Sequence, residues 1–210
     1  MLLAAANVLA LDAAGAQDQA ATQASTTLEA VVVDGAGGET GDGPVVGYVA
    51  KKTLTGTKTD TPIAKTPQSI SVVAKDQIED QHASSVAETL RYTPGVFTEY
   101  RGASNLRDEL FVCGFYYVPK YLGGLFLGSD LSYVKIDPYL LERVELISGP
   151  ASVLYGQANP GGIVTMVSKK PTDTPLTEVE LSVGTDKYIS AAFDISRGFY
   201  DDFGYRIAAP

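Results

Sequence analysis

The sequence predicts a small α+β domain, a mixed sheet with short helices, followed by two or three antiparallel β-strands. Three features carry this. Residues 142–171, ERVELISGPASVLYGQANPGGIVTMVSKKP, read as strand, turn and strand. Arg143 to Ile147 alternates polar and apolar, Gly149 and Pro150 stop the strand, and Gly161-Gly162 open a second, β-branched run through Ser168. Ser85 and Glu88 have the spacing of a capping box and announce a helix. After Pro171, residues 177–183 and 188–196 alternate with period two, the signature of strands.

In chain order, Met1 to Leu11 is an apolar run of the length of a signal-peptide core, and Ala14-Gly15-Ala16 offers a small-residue cleavage site. No charged segment precedes it, so residues 1–16 read as a signal peptide with an incomplete start. Residues 17–27 are polar and low in complexity, too poor in apolar side chains to order themselves. Leu28, Glu29, Ala30, Val31, Val32 and Val33 form a lone β-former, followed by a Gly-rich, acidic stretch at 35–43. Residues 17–58 are therefore expected to be flexible around that one segment. Its pattern suits either addition to a sheet edge on another protein or an edge strand of its own domain.

The α+β domain is expected over 59–172. Ser69 to Val73 reads as a strand and Lys75 to Asp80 as a helical turn. A helix from Val86 to Tyr92 ends at Pro94-Gly95, and Val96 to Tyr100 resumes as strand. Leu110 to Phe115 and Tyr121 to Leu127 read as further strands. Asp137-Pro138 supplies an N-cap and first-turn pair for one turn through Leu141. Over 173–210, Val179, Leu181 and Val183 oppose Glu178, Glu180 and Ser182, while Ile189, Ala191, Phe193 and Ile195 oppose Ser190, Asp194 and Ser196. Gly184 to Lys187 turns between them, and Phe203 to Ala208 begins a third strand. The alternation fits transmembrane β-barrel strands, apolar outside and polar inside; a half-exposed soluble hairpin fits it equally.

Composition excludes several function classes. The chain has 210 residues and a net charge of -9, with its 16 basic residues scattered, which argues against a nucleic-acid partner. One cysteine and one histidine allow neither an internal disulfide nor a His/Cys metal cage. Cys113 reads as a small buried hydrophobe and His82 as a surface residue. No Ser-His-Asp set and no phosphate-cradling loop is present, so no catalytic residue is assigned.

GPASVLYG and NPGG within residues 142–171, preceded in order by IDPYLLERVE, LRYTPGV and TDTPIAKTPQSISVV, closely resemble the plug domain of TonB-dependent outer-membrane receptors, particularly the siderophore-receptor branch. The resemblance implies a plug over 59–172 and the first strands of an outer-membrane barrel over 173–210, the front of a longer receptor. It implies that Leu28 to Val33 is the TonB box, which contacts the C-terminal domain of TonB, energised by ExbB and ExbD. It implies no cofactor, since iron arrives inside a ferric siderophore. Tyr100, Arg101 and Asn105 in one plug loop, with Tyr116 and Tyr117 in a second, are the candidate ligand-binding residues; each aromatic could equally pack against the barrel wall.

Three positions depart from the family pattern. Cys113-Gly114-Phe115 stands for an Arg-Gly-Phe tripeptide, Gly123-Gly124 for an Asp-Gly pair, and Ser148 for a basic residue before Gly-Pro. Each loses a charge, and a lost partner is expected to leave another charge buried. Two further readings stay open: a non-transporting, TonB-binding plug fragment from a truncated or decaying gene, and a receptor for another ligand such as haem or cobalamin. Hydroxamate, catecholate and mixed siderophores are not separated by these residues.

Overall fold

The computed structural model describes residues 38–100, 102, 107–129, 135–156, 158–200 and 203–210. The expected signal segment, Leu28 to Val33, Arg101 and Asn105 lie outside the described residues. The elements run β1 (Lys52–Thr53), β2 (Thr61–Pro62), β3 (Ser69–Ala74), α1 (Lys75–Asp80), α2 (Val86–Thr89), β4 (Val96–Phe97), β5 (Phe111–Val112), β6 (Lys120–Leu122), β7 (Leu125–Gly128), β8 (Leu141–Ser148), α3 (Ser152–Tyr155), β9 (Gly162–Ser168), β10 (Leu176–Val183), β11 (Ile189–Tyr200) and β12 (Phe203–Ala209).

The centre is a mixed five-stranded sheet in the order β3-β8-β9-β6-β7. β8 pairs antiparallel with β3 and β9, and β6 lies parallel to β9. Successive side chains of β8 point to opposite faces. Val144 and Leu146 join Val164 and Met166 from β9, and Ile78, Val86 and Leu90 from the α1–α2 region close that layer. A smaller cluster of Ile147, Ile163, Tyr121 and Ala151 sits at the other end of β8. The turn between β8 and β9 holds the short helix α3, which the Gly and Pro punctuation did not announce. Glycine at 162 is required there: its φ is +137°, and a Cβ would lie 2.0 Å from the Ile147 carbonyl oxygen.

Several expected boundaries change. The Val86–Tyr92 helix is regular only to Thr89, after which backbone bonds continue as turns. The strand expected through Tyr100 ends at Phe97. The strand expected over 110–115 is two residues long, because Cys113 and Gly114 adopt φ of 50° and 81° and Val112 and Phe115 exchange both backbone bonds across them. That is a two-residue hairpin turn, and Cys113 stands exposed on it rather than buried. The strand expected over 121–127 is a hairpin, β6 and β7, turning at Gly123 (φ 57°) and Gly124 (φ 84°). At both turns the residue that stands where the family carries a charge is exposed.

The Gly-rich stretch expected to be flexible is, over its described part, packed on the central sheet. Gly41 abuts the backbone of Thr53 and Leu54, where a Cβ would meet Thr53 carbonyl carbon at 2.6 Å. Close backbone approach is what glycine permits here, and composition alone reads it as freedom.

β10, β11 and β12 form a separate antiparallel sheet with β11 in the middle. Val179, Leu181, Val183, Ile189, Phe193 and Ile195 face outward and exposed, whereas Asp194 and Ser196 are buried on the inner side. A soluble hairpin would bury the opposite face, so the pattern is that of barrel strands. β10 and β12 each keep one unpaired edge, and no closed barrel exists among the described residues.

Candidate functional site

Register builds the site. β4 and β5 place Phe97 opposite Phe111, and antiparallel partners on one face bring their rings together, with centroids 6.2 Å apart. Tyr100 meets Phe111 edge-on at 5.1 Å. Tyr116 packs on Phe111 at 4.9 Å and touches Tyr100 at 5.6 Å. Tyr117 lies 4.3 Å from Tyr116 and holds a left-handed φ of 62°. Three of the five residues expected to bind ligand, Tyr100, Tyr116 and Tyr117, thus gather in one aromatic ledge; Arg101 and Asn105 lie outside the described residues.

Sequence reasoning missed Phe97 and Phe111. The signal was present in the short apolar runs around them, but it needed the register of β4 on β5 to count. Phe97, Tyr100 and Tyr117 each remain about half exposed, at 54%, 48% and 50%. A contiguous exposed aromatic surface is characteristic of a recognition site.

The ledge rests on the Asn159–Gly162 turn. Asn159 Nδ2 donates to the Tyr116 carbonyl at 2.6 Å, and Asn159 Oδ1 accepts from the Gly161 amide at 2.8 Å. A Cβ at Gly161 would lie 2.2 Å from the Val112 carbonyl oxygen, so only glycine lets the β5 turn settle this close. Gly149 N donates to Gly161 O at 2.8 Å and closes the mouth of the β8–β9 hairpin. The Gly and Pro punctuation therefore serves as a rigid footing for the aromatic residues.

A second polar centre lies on the face of β8 opposite the apolar core. Arg143 and Glu145 are both fully buried, with Nη1 and Oε1 3.5 Å apart. Arg143 donates to the carbonyls of Lys52 (3.1 Å), Thr40 (2.7 Å) and Gly43 (2.7 Å). Thr53 Oγ1 donates to Glu145 Oε2 at 2.6 Å. Burial pushes the Glu145 carboxyl above the usual range, opposed by the Thr53 and Thr55 hydroxyls and by Arg143. The sequence displayed this pair only as the alternating residues of a strand.

A third centre ties the sheet end to the outer strands. Arg206 Nη2 and Nε reach Asp194 at 2.7 and 2.9 Å, and Lys169 Nζ reaches it at 3.2 Å. Lys169 also sits 4.1 Å over the Tyr139 ring.

Residues 62–163 match the model of the TonB-dependent Receptor Plug Domain family. The chain is 45% identical over 196 residues to the ferrichrome outer membrane transporter/phage receptor of Escherichia coli K12, covering 90% of this chain and 26% of that protein. It is 38% identical to the ferrioxamine receptor of Yersinia enterocolitica, covering 88% of this chain and 27% of that one. The crystal structure of the siderophore receptor PiuA from Acinetobacter baumannii superposes with a TM-score of 0.64 at 26% identity, over 81% of this chain and 23% of that one. The chain thus spans about a quarter of the length of the curated relatives it matches. Those relatives are transport receptors and not enzymes. On the match over residues 62–163 and the similarity to these receptors, the chain belongs to the TonB-dependent receptors and carries their plug domain.

Proposed function

We propose that this chain is the plug-bearing part of a receptor in the outer membrane of a Gram-negative bacterium that imports a ferric siderophore of the ferrichrome or ferrioxamine kind. The observation that carries the reading is the aromatic ledge in which Phe97, Tyr100 and Tyr117 stand about half exposed, with Tyr116 and Phe111 packed against them. Aromatic faces offer rigid apolar contact to a bulky chelate, and an exposed phenol such as that of Tyr117 offers a donor to its oxygens. The named ligands of the two similar receptors support the substrate class. Iron is cargo held by the chelate, and no bond is made or broken.

In this reading the plug sits inside the barrel with its N-terminal side in the periplasm. Leu28 to Val33 adds as a strand to the C-terminal domain of TonB, energised by ExbB and ExbD. Two experiments on the full-length receptor test it. A Tyr100→Ala/Tyr116→Ala variant is expected to bind ferrichrome or ferrioxamine B about tenfold or more weakly; unchanged binding of both chelates overturns the ledge as the site. Val32→Pro removes a backbone donor and is expected to abolish capture by the TonB C-terminal domain. Undiminished capture would place the box elsewhere.

A further inference from the structure

A second aromatic assembly stands apart from the ledge and carries a cation. Phe126 meets Tyr121 edge-on at 5.5 Å, and Tyr121 meets Tyr155 at 4.8 Å. The last ring is fixed from both ends, since Tyr155 Oη donates to the Thr55 carbonyl at 2.9 Å and the Tyr155 carbonyl accepts from Tyr121 Oη at 3.1 Å. Lys58 Nζ lies 3.6 Å from the centre of that ring. A tight turn presents it, because Lys58 has a left-handed φ of 60° and its amide donates to the Leu54 carbonyl at 2.7 Å.

Lys58 and Tyr155 open on a cavity of about 460 Å³, a volume typical of small-molecule sites. Leu54, Val167 and Pro171 give it apolar walls, and at Gly123 and Gly124 on its border a Cβ would meet nothing within 4 Å. No ledge residue lines it. Its three cations differ in what already holds them: Lys169 is committed to the buried Asp194, and Lys170 to Asp42. Lys58 has no carboxylate partner among the described residues. The ring takes one side of its ammonium and leaves the other donors directed away from the ring. In a chain of net charge -9, this cavity keeps one positive charge to spare.

We propose that this cavity binds an amphipathic organic anion, a single carboxylate or sulfonate on an apolar body, with Lys58 as its charge partner and Leu54, Val167 and Pro171 around the body. Charge selects the class. A neutral solute gains only the apolar contact, a small hydrophilic anion gains only the charge, and an organic cation meets Lys58. The site is independent of the proposed function, since it shares no residue with the ledge and needs neither siderophore nor TonB.

The test titrates the full-length receptor in lipid nanodiscs, with empty nanodiscs as the blank, with 2-naphthoate and its neutral analogue 2-naphthalenemethanol. Naphthoate is expected to bind saturably and about tenfold more tightly than the alcohol, as one charge-assisted hydrogen bond gives. Lys58→Met keeps the apolar stem, lowers naphthoate affinity to that of the alcohol and leaves the alcohol unchanged. Raising salt from about 0.05 to about 0.5 M weakens naphthoate alone. Val167→Phe fills the cavity and excludes both probes. Tyr100→Ala/Tyr116→Ala, at the ledge, leaves naphthoate affinity as it was, and ferrichrome does not displace the probe. The proposal is overturned by an absence of saturable binding, by equal affinity for the two probes, by undiminished naphthoate binding in Lys58→Met, or by displacement with ferrichrome, which would put the probe on the ledge. Should Val167→Phe fail to fold, Lys58→Met still decides, because residue 58 is exposed. Ferrichrome binding is read on the same preparations, so its absence with naphthoate binding intact would sink the ledge reading and leave the cavity standing.

Discussion

Glu145 shows what a single residue means once its surroundings are known. Its carboxyl is fully buried and its pKa is raised above the ordinary glutamate value of 4.5 by loss of water, against the pull of the Thr53 and Thr55 hydroxyls and Arg143. A raised folded-state value means that folding favours the protonated form. Its contribution to stability is present below the ordinary glutamate range and is lost as pH rises through the raised value. The difference in Tm between wild type and Glu145→Gln, followed from pH 4 upward in detergent, should therefore shift against the wild type as pH rises towards neutral. A difference independent of pH would show that the carboxyl does not titrate in this window. The sequence marks position 145 as the polar member of an alternating strand, but its covering residue Thr53 is 92 positions away. No local pattern encodes a contact of that separation.

At the level of elements, the helix starts were legible because a cap is a local event. Ser85 Oγ accepts from the Glu88 amide at 3.2 Å, as the spacing predicts. The reciprocal half moves by one residue: Glu88 accepts from the amide and hydroxyl of Ser84, both at 2.7 Å. A further bond was invisible locally, since the buried Ala87 amide donates to Asp108 Oδ1 at 2.7 Å across 21 positions. Ser85→Ala should cost about 1 kcal/mol. Asp108→Ala should cost roughly 1–3 kcal/mol, because it strands a buried donor. Chemical denaturation of both variants checks the order, and equal costs would mean that the Ala87 amide finds water. Turn chemistry was less legible. Cys113 is a rare occupant of a left-handed position, and Gly123-Gly124, a legitimate hairpin signal, is masked in the sequence by the apolar residues that flank it on both sides.

At the scale of the whole molecule, the outer strands reverse the rule of the plug. Their apolar side chains face outward, and Asp194 is buried between Arg206 and Lys169. Asp194→Ala would leave two cations without their carboxylate, at a cost of about 3–5 kcal/mol. The expected readout is loss of protease resistance over 176–209 in detergent, with the β3-β8-β9 sheet retained; unchanged resistance would mean that the pairing of β10 to β12 needs no such tie. The sequence by itself determined the strand-turn-strand of residues 142–168, the Ser85 cap, the alternation of the last strands and the family motifs, because each is written within a few residues. Only the tertiary structure decided that the alternating strands point their apolar side outward, that the aromatic loops converge on one ledge above Asn159–Gly162, and that a Gly-rich stretch lies fixed across Arg143 and Glu145. Those outcomes depend on register and on bonds spanning up to 128 positions, and the free energy of such contacts is set by what covers a residue rather than by its neighbours in the chain.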